Sequence, residues 1–336
     1  MKPETFLKTV KVQDAVGLRL GHDMTRIVPG EFKGRAFRKG HLITEADIPH
    51  LLDIGKEHIY ILDVPEGWVH EEAAAIRMAD AAAGPNLECT EPVEGKVTIK
   101  SAIHGLAKVH EPFVHEANAI EHIVFSTKVN NTVVEPGSAI AAARVVPLIV
   151  EEHTVARFEQ TAAKHKAEAE HLLEVKPFRS LKTGIITTGS EVFNGRIDDK
   201  FGPVLQDKLA AFGSEVMEQR FSPDDTASIV RHIRHFQSLK ADLILVTGGM
   251  SVDPDDKTPG AIKASGASIV SYGTPMLPGS MMLLGYFSDG TPIMGLPGAV
   301  IYEPFTTFDV LLPRICAGER IGKADIVALG YGGLIK

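Results

Sequence analysis

Two glycine turns, Thr247-Gly248-Gly249-Met250-Ser251 and Gly295-Leu296-Pro297-Gly298, decide the fold of the C-terminal half. Each follows a short apolar run that predicts a buried parallel strand, and each precedes a predicted helix. A strand, a glycine turn and a helix N-terminus together leave backbone N–H groups free to bind an anion. The pair therefore predicts a site for a phosphorylated ligand at the carboxyl ends of a sheet. The alternative is that Gly248 and Gly249 form only a tight turn.

Composition limits the classes of function. The chain has 336 residues, 44% of them hydrophobic and 23% charged, which is typical of a soluble globular protein with two or three domains. Its net charge of -8 argues against nucleic acid or an acidic membrane as a partner. Cys89 and Cys316 are far apart, the histidines are scattered, and the first residues lack the apolar core of a signal peptide. We therefore expect a cytoplasmic protein without a disulfide framework or a structural zinc site.

The rhythm of the sequence changes along the chain. From residue 179 onward strands alternate with helices, which predicts an α/β domain: a three-layer, mostly parallel sheet with helices on both faces. The alanine-rich, charged stretch before it, including residues 159–173, predicts a solvated connecting helix. The predicted divisions are an α+β segment (1–85), a β-rich domain (86–152), a helical linker (153–178), the α/β domain (179–318) and a tail (319–336).

Five sequence elements of the α/β domain occur in a recognisable order. They are Ile185-Ile-Thr-Thr-Gly-Ser-Glu191, Asp224-Asp225 opening a helix, Gly248-Gly-Met-Ser-Val252 with Asp256 downstream, Leu277-Pro-Gly279, and Gly295-Leu-Pro-Gly298. In this order the domain resembles the molybdopterin-binding domain shared by molybdopterin molybdotransferases (the MoeA type) and molybdopterin adenylyltransferases (the MogA type). Residues 35–48 also look like an N-terminal segment of the MoeA type, which favours that branch.

The sequence departs from the MoeA type at several points. The aspartate-glycine-tyrosine-alanine motif near the start is absent, and the lysines that flank the proline-glycine turn are missing from Met276-Leu-Pro-Gly-Ser280. Ala299 replaces an asparagine, and Asp256-Lys257-Thr258-Pro259 looks more like the adenylyltransferase pattern. From the sequence we expect the C-terminal β-domain of that family to be absent or reduced to the tail.

The resemblance implies molybdopterin as the ligand, with Mg²⁺, molybdate and an ATP or AMP moiety as associated groups. The pterin's phosphate would bind at the glycine turns, where no bulky side chain blocks the backbone amides. Thr258 would either contact the phosphate or cap a helix, and Lys257 is a possible substitute for the missing lysines. The predicted binding residues are Thr188, Gly189, Ser190, Gly248, Gly249, Ser251, Thr258, Pro278, Gly279, Ser280, Leu296, Pro297 and Gly298.

Two acids are the predicted catalytic residues, Asp256 and Glu191. A carboxylate beside a phosphate is tolerated when Mg²⁺ bridges them, so Asp256, with Asp253, is also the predicted metal ligand. The alternatives are a solvated acidic turn for the aspartates and, for Glu191, an acid that only complements a helix dipole. Asp225 either contributes to the site or serves at a helix N-terminus.

The sequence therefore predicts a MoeA-like transferase that binds molybdopterin and inserts molybdate in a Mg²⁺-dependent step. Two alternatives remain: a non-catalytic molybdopterin carrier or sensor, favoured by the missing lysines, and a molybdopterin adenylyltransferase. A homo-oligomer, specifically a homodimer, is expected from the resemblance. Residues 86–152 have no function that the sequence predicts.

Overall fold

The first part of the fold is a small α+β unit. A computed structural model describes residues 7–28, 32–62, 64–251 and 256–335 of the chain. The elements of this unit are β1 (Leu7–Lys11), β2 (Arg19–Leu20), β3 (Met24–Val28), β4 (Phe32–Phe37), α1 (Asp47–Asp53) and β5 (His58–Leu62). The strands form a sheet of order β1-β5-β2 and a ribbon of β3 and β4. Leu20, Leu51 and Ile61 lie in its core.

The second unit is a set of antiparallel strands covered by helices. Its elements are β6 (Trp68–His70), α2 (Glu71–Ala82), β7 (Leu87–Cys89), β8 (Lys96–Ser101), β9 (Gly105–Val109), α3 (Glu111–Asn118), β10 (Ile123–Thr127), β11 (Thr132–Val134), β12 (Ala139–Val145), β13 (Ile149–Glu151), α4 (Glu152–Lys166) and β14 (Leu173–Pro177). The strands form sheets of order β10-β12-β8-β7, β11-β9-β14 and β13-β6. The β-rich character predicted for residues 86–152 is present, but α3 interrupts it.

The predicted linker helix is wrong in extent and in surroundings. α4 ends at Lys166, and residues 173–177 form β14, which pairs antiparallel with β9. Val155, Phe158 and Ala162 of α4 are buried in the same core as Met78 of α2. α4 therefore packs inside the second unit because its apolar stripe is covered by α2 and the sheet, and it is not a solvated connector.

The third unit has the predicted α/β order. Its elements are β15 (Lys182–Thr188), α5 (Ser190–Phe193), α6 (Phe201–Ala210), β16 (Glu215–Ser222), α7 (Thr226–Ser238), β17 (Leu243–Thr247), α8 (Thr258–Ala264), β18 (Ser268–Tyr272), β19 (Leu283–Tyr286), β20 (Pro292–Leu296), α9 (Ala299–Tyr302), α10 (Thr307–Cys316) and α11 (Lys323–Ala328). Among the described residues, no helix combines the length and apolar character needed to cross a bilayer.

The six-stranded sheet of the third unit has the order β16-β15-β17-β20-β19-β18. β16, β15, β17 and β20 pair in parallel, whereas β19 runs antiparallel to both of its neighbours. Successive residues of β17 point to opposite faces. Leu245 lies in one core with Leu205 of α6 and Leu311 of α10, and Val246 lies in another with Ile233 of α7. The predicted three-layer fold, a mostly parallel sheet with helices on both faces, is confirmed.

Two features at the C-terminal end differ from the expectation. The predicted final helix is broken into α9 and α10, because Glu303 is extended before Pro304. The predicted tail also packs onto the domain: Ile321 and Ile326 are buried in the core beside α10. Gly333 accepts a hydrogen bond from the amide of Leu277 (2.8 Å). The segment after Gly318 therefore belongs structurally to the α/β unit.

Candidate functional site

The glycine turns begin at one edge of the sheet. In the parallel register, Thr187 of β15 is level with Thr247 of β17, and Thr247 is level with Leu296 of β20. The loops that follow these three strands therefore start side by side at the carboxyl edge. The loop between β18 and β19 lies at the same edge, because Tyr272 pairs with Leu283 and Leu283 pairs with Gly295.

The first turn requires glycine at two successive positions. Gly248 has a φ of 82°, and a Cβ added there would lie 2.5 Å from the carbonyl oxygen of Thr188. Gly249 has a φ of 54°, and its added Cβ would lie 2.9 Å from Oγ1 of Thr258. Left-handed backbone and close neighbours both exclude larger residues. Close packing of β15, β17 and α8 is thus enough to account for both glycines.

Two side-chain hydroxyls that were predicted to bind the ligand hold this turn in place. Thr258 is fully buried, and its Oγ1 donates to the carbonyl of Gly248 (2.9 Å). The Oγ1 of Thr188 donates to the carbonyl of Thr247 (2.9 Å). These bonds hold the loop after β17 against the end of β15, and a ligand contact by either hydroxyl stays a prediction.

The loop after β15 is bound by Asp224, which the sequence analysis placed only at the opening of a helix. Asp224 accepts from both the amide and the hydroxyl of Ser190 (2.8 and 3.0 Å). The donors predicted to bind a ligand through Ser190 are therefore bound to a carboxylate, which complements the N-terminus of α5. Asp225 accepts from the amide of Ser228 (2.7 Å), which is the helix-start alternative predicted for it. Glu191 is exposed at the start of α5.

Asp256 lies beside the first turn. Its Oδ1 is 3.7 Å from the position that a Cβ on Gly249 would take. The hydroxyl of Tyr272 donates to the carbonyls of Met250 (3.0 Å) and Ser251 (3.3 Å). Burial raises the pKa of Tyr272, and the negative charge of Asp256 adds to the rise. Tyr272 was missed by sequence reasoning because it ends β18, which lies three places from β17 in the sheet.

The predicted Mg²⁺ site can be tested against these donors. Mg²⁺ is commonly bound by one or two carboxylates together with substrate phosphates. Asp256, half-buried at the first turn, fits such a ligand. Asp253, the second predicted ligand, lies outside the described residues.

The loop that carries Pro278, Gly279 and Ser280 is held from two sides. Gly279 has a φ of 107°, and a Cβ there would lie 2.9 Å from the amide nitrogen of Thr307. On the other side, Leu277 bonds to the C-terminal segment: its amide donates to Gly333, and its carbonyl accepts from the amide of Ile335 (3.0 Å). The C-terminal segment thus positions a loop predicted to contact the ligand.

The second glycine turn is more open than the first. Leu296 is fully buried in the core, so its backbone is the part that can face a ligand. Pro297 is also buried. Gly298 is exposed, and a Cβ added to it would meet nothing within 4 Å.

Backbone amides without acceptors cluster at these loops. Across residues 64–251 and 256–335, the amides of Gly249, Met250 and Ser251 have no hydrogen-bond acceptor. Within the same two ranges, the amides of Gly279, Ser280 and Gly298 also have no hydrogen-bond acceptor. Buried backbone N–H groups normally find a partner, and Met250 is buried, so an anion or water can bind the amides of this turn.

Two cavities lie elsewhere in the molecule. One of about 640 Å³ includes Trp68 and Arg157 in its wall, and one of about 960 Å³ includes Arg19 and Arg144. Neither includes a residue of the glycine turns. We place the candidate site at the sheet edge because the amides without acceptors lie there, and an open edge needs no enclosed cavity to hold a phosphate.

Comparison with known families finds a match over the residues that include this sheet edge. Residues 184–316 match the model of a probable molybdopterin binding domain. This confirms the predicted molybdopterin-binding domain; the match names a ligand and no reaction, so the MoeA type is not confirmed. Residues 9–63 match a domain of unknown function (DUF8806).

Individual relatives cover small parts of the protein. A CinA-like protein of Mycobacterium sp. (strain JLS) is 37% identical over 79 residues, 24% of this chain and 19% of its own length. A CinA-like protein of Mycobacterium tuberculosis (strain ATCC 25177 / H37Ra) is 35% identical over 79 residues, 24% of this chain and 18% of its own length. The chain thus spans about a fifth of the length of the curated relatives it matches.

Solved structures are also similar to part of this chain. The molybdopterin biosynthesis enzyme MoaB of Thermus thermophilus is 24% identical, with a TM-score of 0.36, covering 41% of this chain and 98% of that one. CinA of Thermoplasma acidophilum is 16% identical, with a TM-score of 0.32, covering 36% of this chain and 90% of that one.

Proposed function

We propose that residues 184–316 bind molybdopterin, with its phosphate on the amides of the first glycine turn. The observation that carries this proposal is the run of amides without acceptors at Gly249, Met250 and Ser251. An anion that accepts from several backbone N–H groups gains charge-assisted hydrogen bonds without displacing a side chain. The match of residues 184–316 to a molybdopterin-binding domain gives the anion its chemical identity.

The negative charges at this sheet edge favour binding of a cation beside the phosphate. Asp256 lies beside the first turn, and Glu191 lies at the start of α5, in the loop region that follows β15 at the same sheet edge. The loop that carries a lysine in the MoeA type carries Ser280 here. Like charges repel strongly once water is displaced. Mg²⁺, when bound, would supply the positive charge that lets a carboxylate and a phosphate share the site. Asp256 is the described residue that would hold it.

We further propose that the reaction is insertion of molybdate into molybdopterin. Molybdate is a substrate here, and no protein nucleophile is required to place it. The protein's part would be to hold the two reactants together, which lowers the entropic cost of their encounter. The amides of the first turn would fix the phosphate end, Asp256 would orient the charged groups next to it, and Glu191 would line the edge from α5.

Two specific features favour other functions. Ser280 can donate a hydrogen bond but supplies no charge, so weaker catalysis or none, as in a carrier or sensor, is the first alternative. Asp256-Lys257-Thr258-Pro259 resembles the adenylyltransferase pattern and is the basis of the second. Each alternative keeps the ligand and changes the reaction.

Mass spectrometry of the protein incubated anaerobically with molybdopterin, ATP, Mg²⁺ and molybdate separates these functions. The proposal predicts a molybdenum-containing pterin product, formed more slowly by Asp256→Asn and Glu191→Gln. Glu170→Gln, a change at a side chain that is 91% exposed, is the matched control and should leave the rate unchanged. Bound but unaltered molybdopterin would favour a carrier, and an adenylylated pterin with released pyrophosphate would favour the adenylyltransferase. No retained pterin at all would overturn the proposed function.

A further inference from the structure

A cluster of two histidines and a glutamate lies in the second unit, away from the glycine turns. His110 immediately precedes α3, and His165 lies in the last turn of α4 with Glu168 just beyond it. One ligand atom from each of these three residues lies within 4.8 Å of the other two. The Nε2 of His110 is 3.1 Å from the Nδ1 of His165, and that Nδ1 is 3.7 Å from a carboxylate oxygen of Glu168.

The surroundings of His165 direct its Nδ1 lone pair into this cluster. The ring is buried, and its Nε2 is 2.9 Å from a carboxylate oxygen of Glu116. An ionised carboxylate can only accept, so Nε2 carries the proton and Nδ1 is left with a lone pair. Lys164 also donates a hydrogen bond to the Glu116 carboxylate (2.7 Å). A carboxylate behind a ligating histidine is the usual second partner in a metal site.

The distance between the two imidazole nitrogens is close to that of tetrahedral coordination, whereas the Glu168 carboxylate is farther from His165 (3.7 Å). Zinc–nitrogen bonds of about 2.0–2.1 Å at the tetrahedral angle place two ligand nitrogens about 3.3 Å apart. The distance of 3.1 Å between the two imidazoles is close to this value.

We propose that His110, His165 and Glu168 bind a zinc ion, with a water molecule in the fourth position. Two imidazoles and one carboxylate are a donor set that suits Zn²⁺ and leaves one position open. The open position faces solvent because Glu168 is exposed and His110 is half-buried. The ion joins the start of α3 to the end of α4. A plain hydrogen bond between the two imidazoles is the competing explanation of their contact.

Metal binding by the full chain tests this assignment. After removal of metal with a chelator, zinc is titrated by calorimetry, and cobalt is titrated by visible absorption. We expect one Zn²⁺ per chain and cobalt bands typical of four-coordinate geometry. His110→Gln and Glu168→Gln should each weaken zinc binding at least tenfold, whereas His115→Gln, an exposed histidine on the same helix, should not.

Thermal unfolding supplies a second readout that separates loss of metal from loss of fold. Zinc should raise the midpoint of the wild type and of His115→Gln, because a ligand that binds only the folded state stabilises it. It should raise the midpoint of Glu168→Gln by less at the same zinc concentration, and the metal-free midpoint of that variant should equal that of the wild type. Equal zinc affinity in all four proteins, or no bound zinc, would overturn the proposal. Molybdopterin binding is not involved in either readout.

Discussion

Glu319 is the side chain whose replacement should most clearly weaken the contact between the second unit and the third. It follows α10, and its side chain is 10% exposed. Its carboxylate accepts from Arg314 of the same unit (2.9 Å) and from Lys108 and Lys176 of the second unit (2.7 and 3.2 Å). Glu319→Gln preserves the shape of the side chain and removes the negative charge between three cations.

The pKa of Glu319 gives the size of the effect. Burial alone would raise that pKa, but hydrogen bonds from Lys108 and Arg314 lower it from 4.5 to about 2. At about 1.4 kcal/mol per pKa unit, this shift corresponds to roughly 3 kcal/mol of stability at neutral pH. The pKa of Lys108 is also lowered, because burial of its ammonium outweighs the attraction of Glu319. The pKa shift of Glu319 therefore indicates that the ion pair stabilises the fold, whereas the pKa shift of Lys108 indicates a cost. We expect Glu319→Gln to lower the free energy of unfolding by about 2 kcal/mol.

Urea unfolding measures this loss and its pH dependence. A carboxyl whose pKa is lower in the folded state contributes fully above its unfolded value of 4.5, and its contribution is lost as the pH falls toward 2. The gap in stability between the wild type and Glu319→Gln should therefore be present at neutral pH and shrink below pH 4.5. Glu170→Gln should change stability by less than about 0.5 kcal/mol. A Glu319→Gln protein as stable as the wild type at neutral pH would refute the reasoning.

Three further outcomes follow from the geometry. Gly248→Ala should lower the free energy of unfolding by about 2 kcal/mol or more, because it places a side chain on left-handed backbone and against the end of β15. Gly298→Ala should not lower it, and equal thermal midpoints for the two variants would contradict this prediction. Deletion of residues 331–336 should speed hydrogen exchange at Leu277, whose amide loses its acceptor, and unchanged exchange would show that the segment does not hold the loop. Burial and a neighbouring arginine lower the pKa of His70 to about 4, so its NMR titration should have a midpoint far below 6.5, and a midpoint near 6.5 would be inconsistent with its burial.

The α/β unit was predictable from sequence because its signals are local. The turn at Gly248-Gly249 requires left-handed backbone, and glycine adopts it freely. The apolar run of β17 is buried on both faces, as a central parallel strand should be. These two features fix strand, turn and helix in order, and the parallel register follows from the alternation of helices and strands.

The parts that could not be predicted depend on contacts between distant residues. The local sequence of β14 predicts the end of a helix, but the segment forms a strand because it pairs with the edge of β9. Asp224 is distinguishable from Asp225 only when the loop after β15 is in place to bind it. The nitrogens of His110 and His165 meet although 55 positions separate them, so no spacing rule finds them.

Binding of molybdopterin with and without its terminal phosphate tests the central claim most directly. If the amides at Gly249, Met250 and Ser251 hold that phosphate, the dephosphorylated pterin should bind at least about tenfold more weakly, since one hydrogen bond to a charged group contributes about 1.5–3 kcal/mol. Equal affinity for the two pterins, measured by anaerobic calorimetry on the full chain, would contradict the assignment of the glycine turn as the anion site.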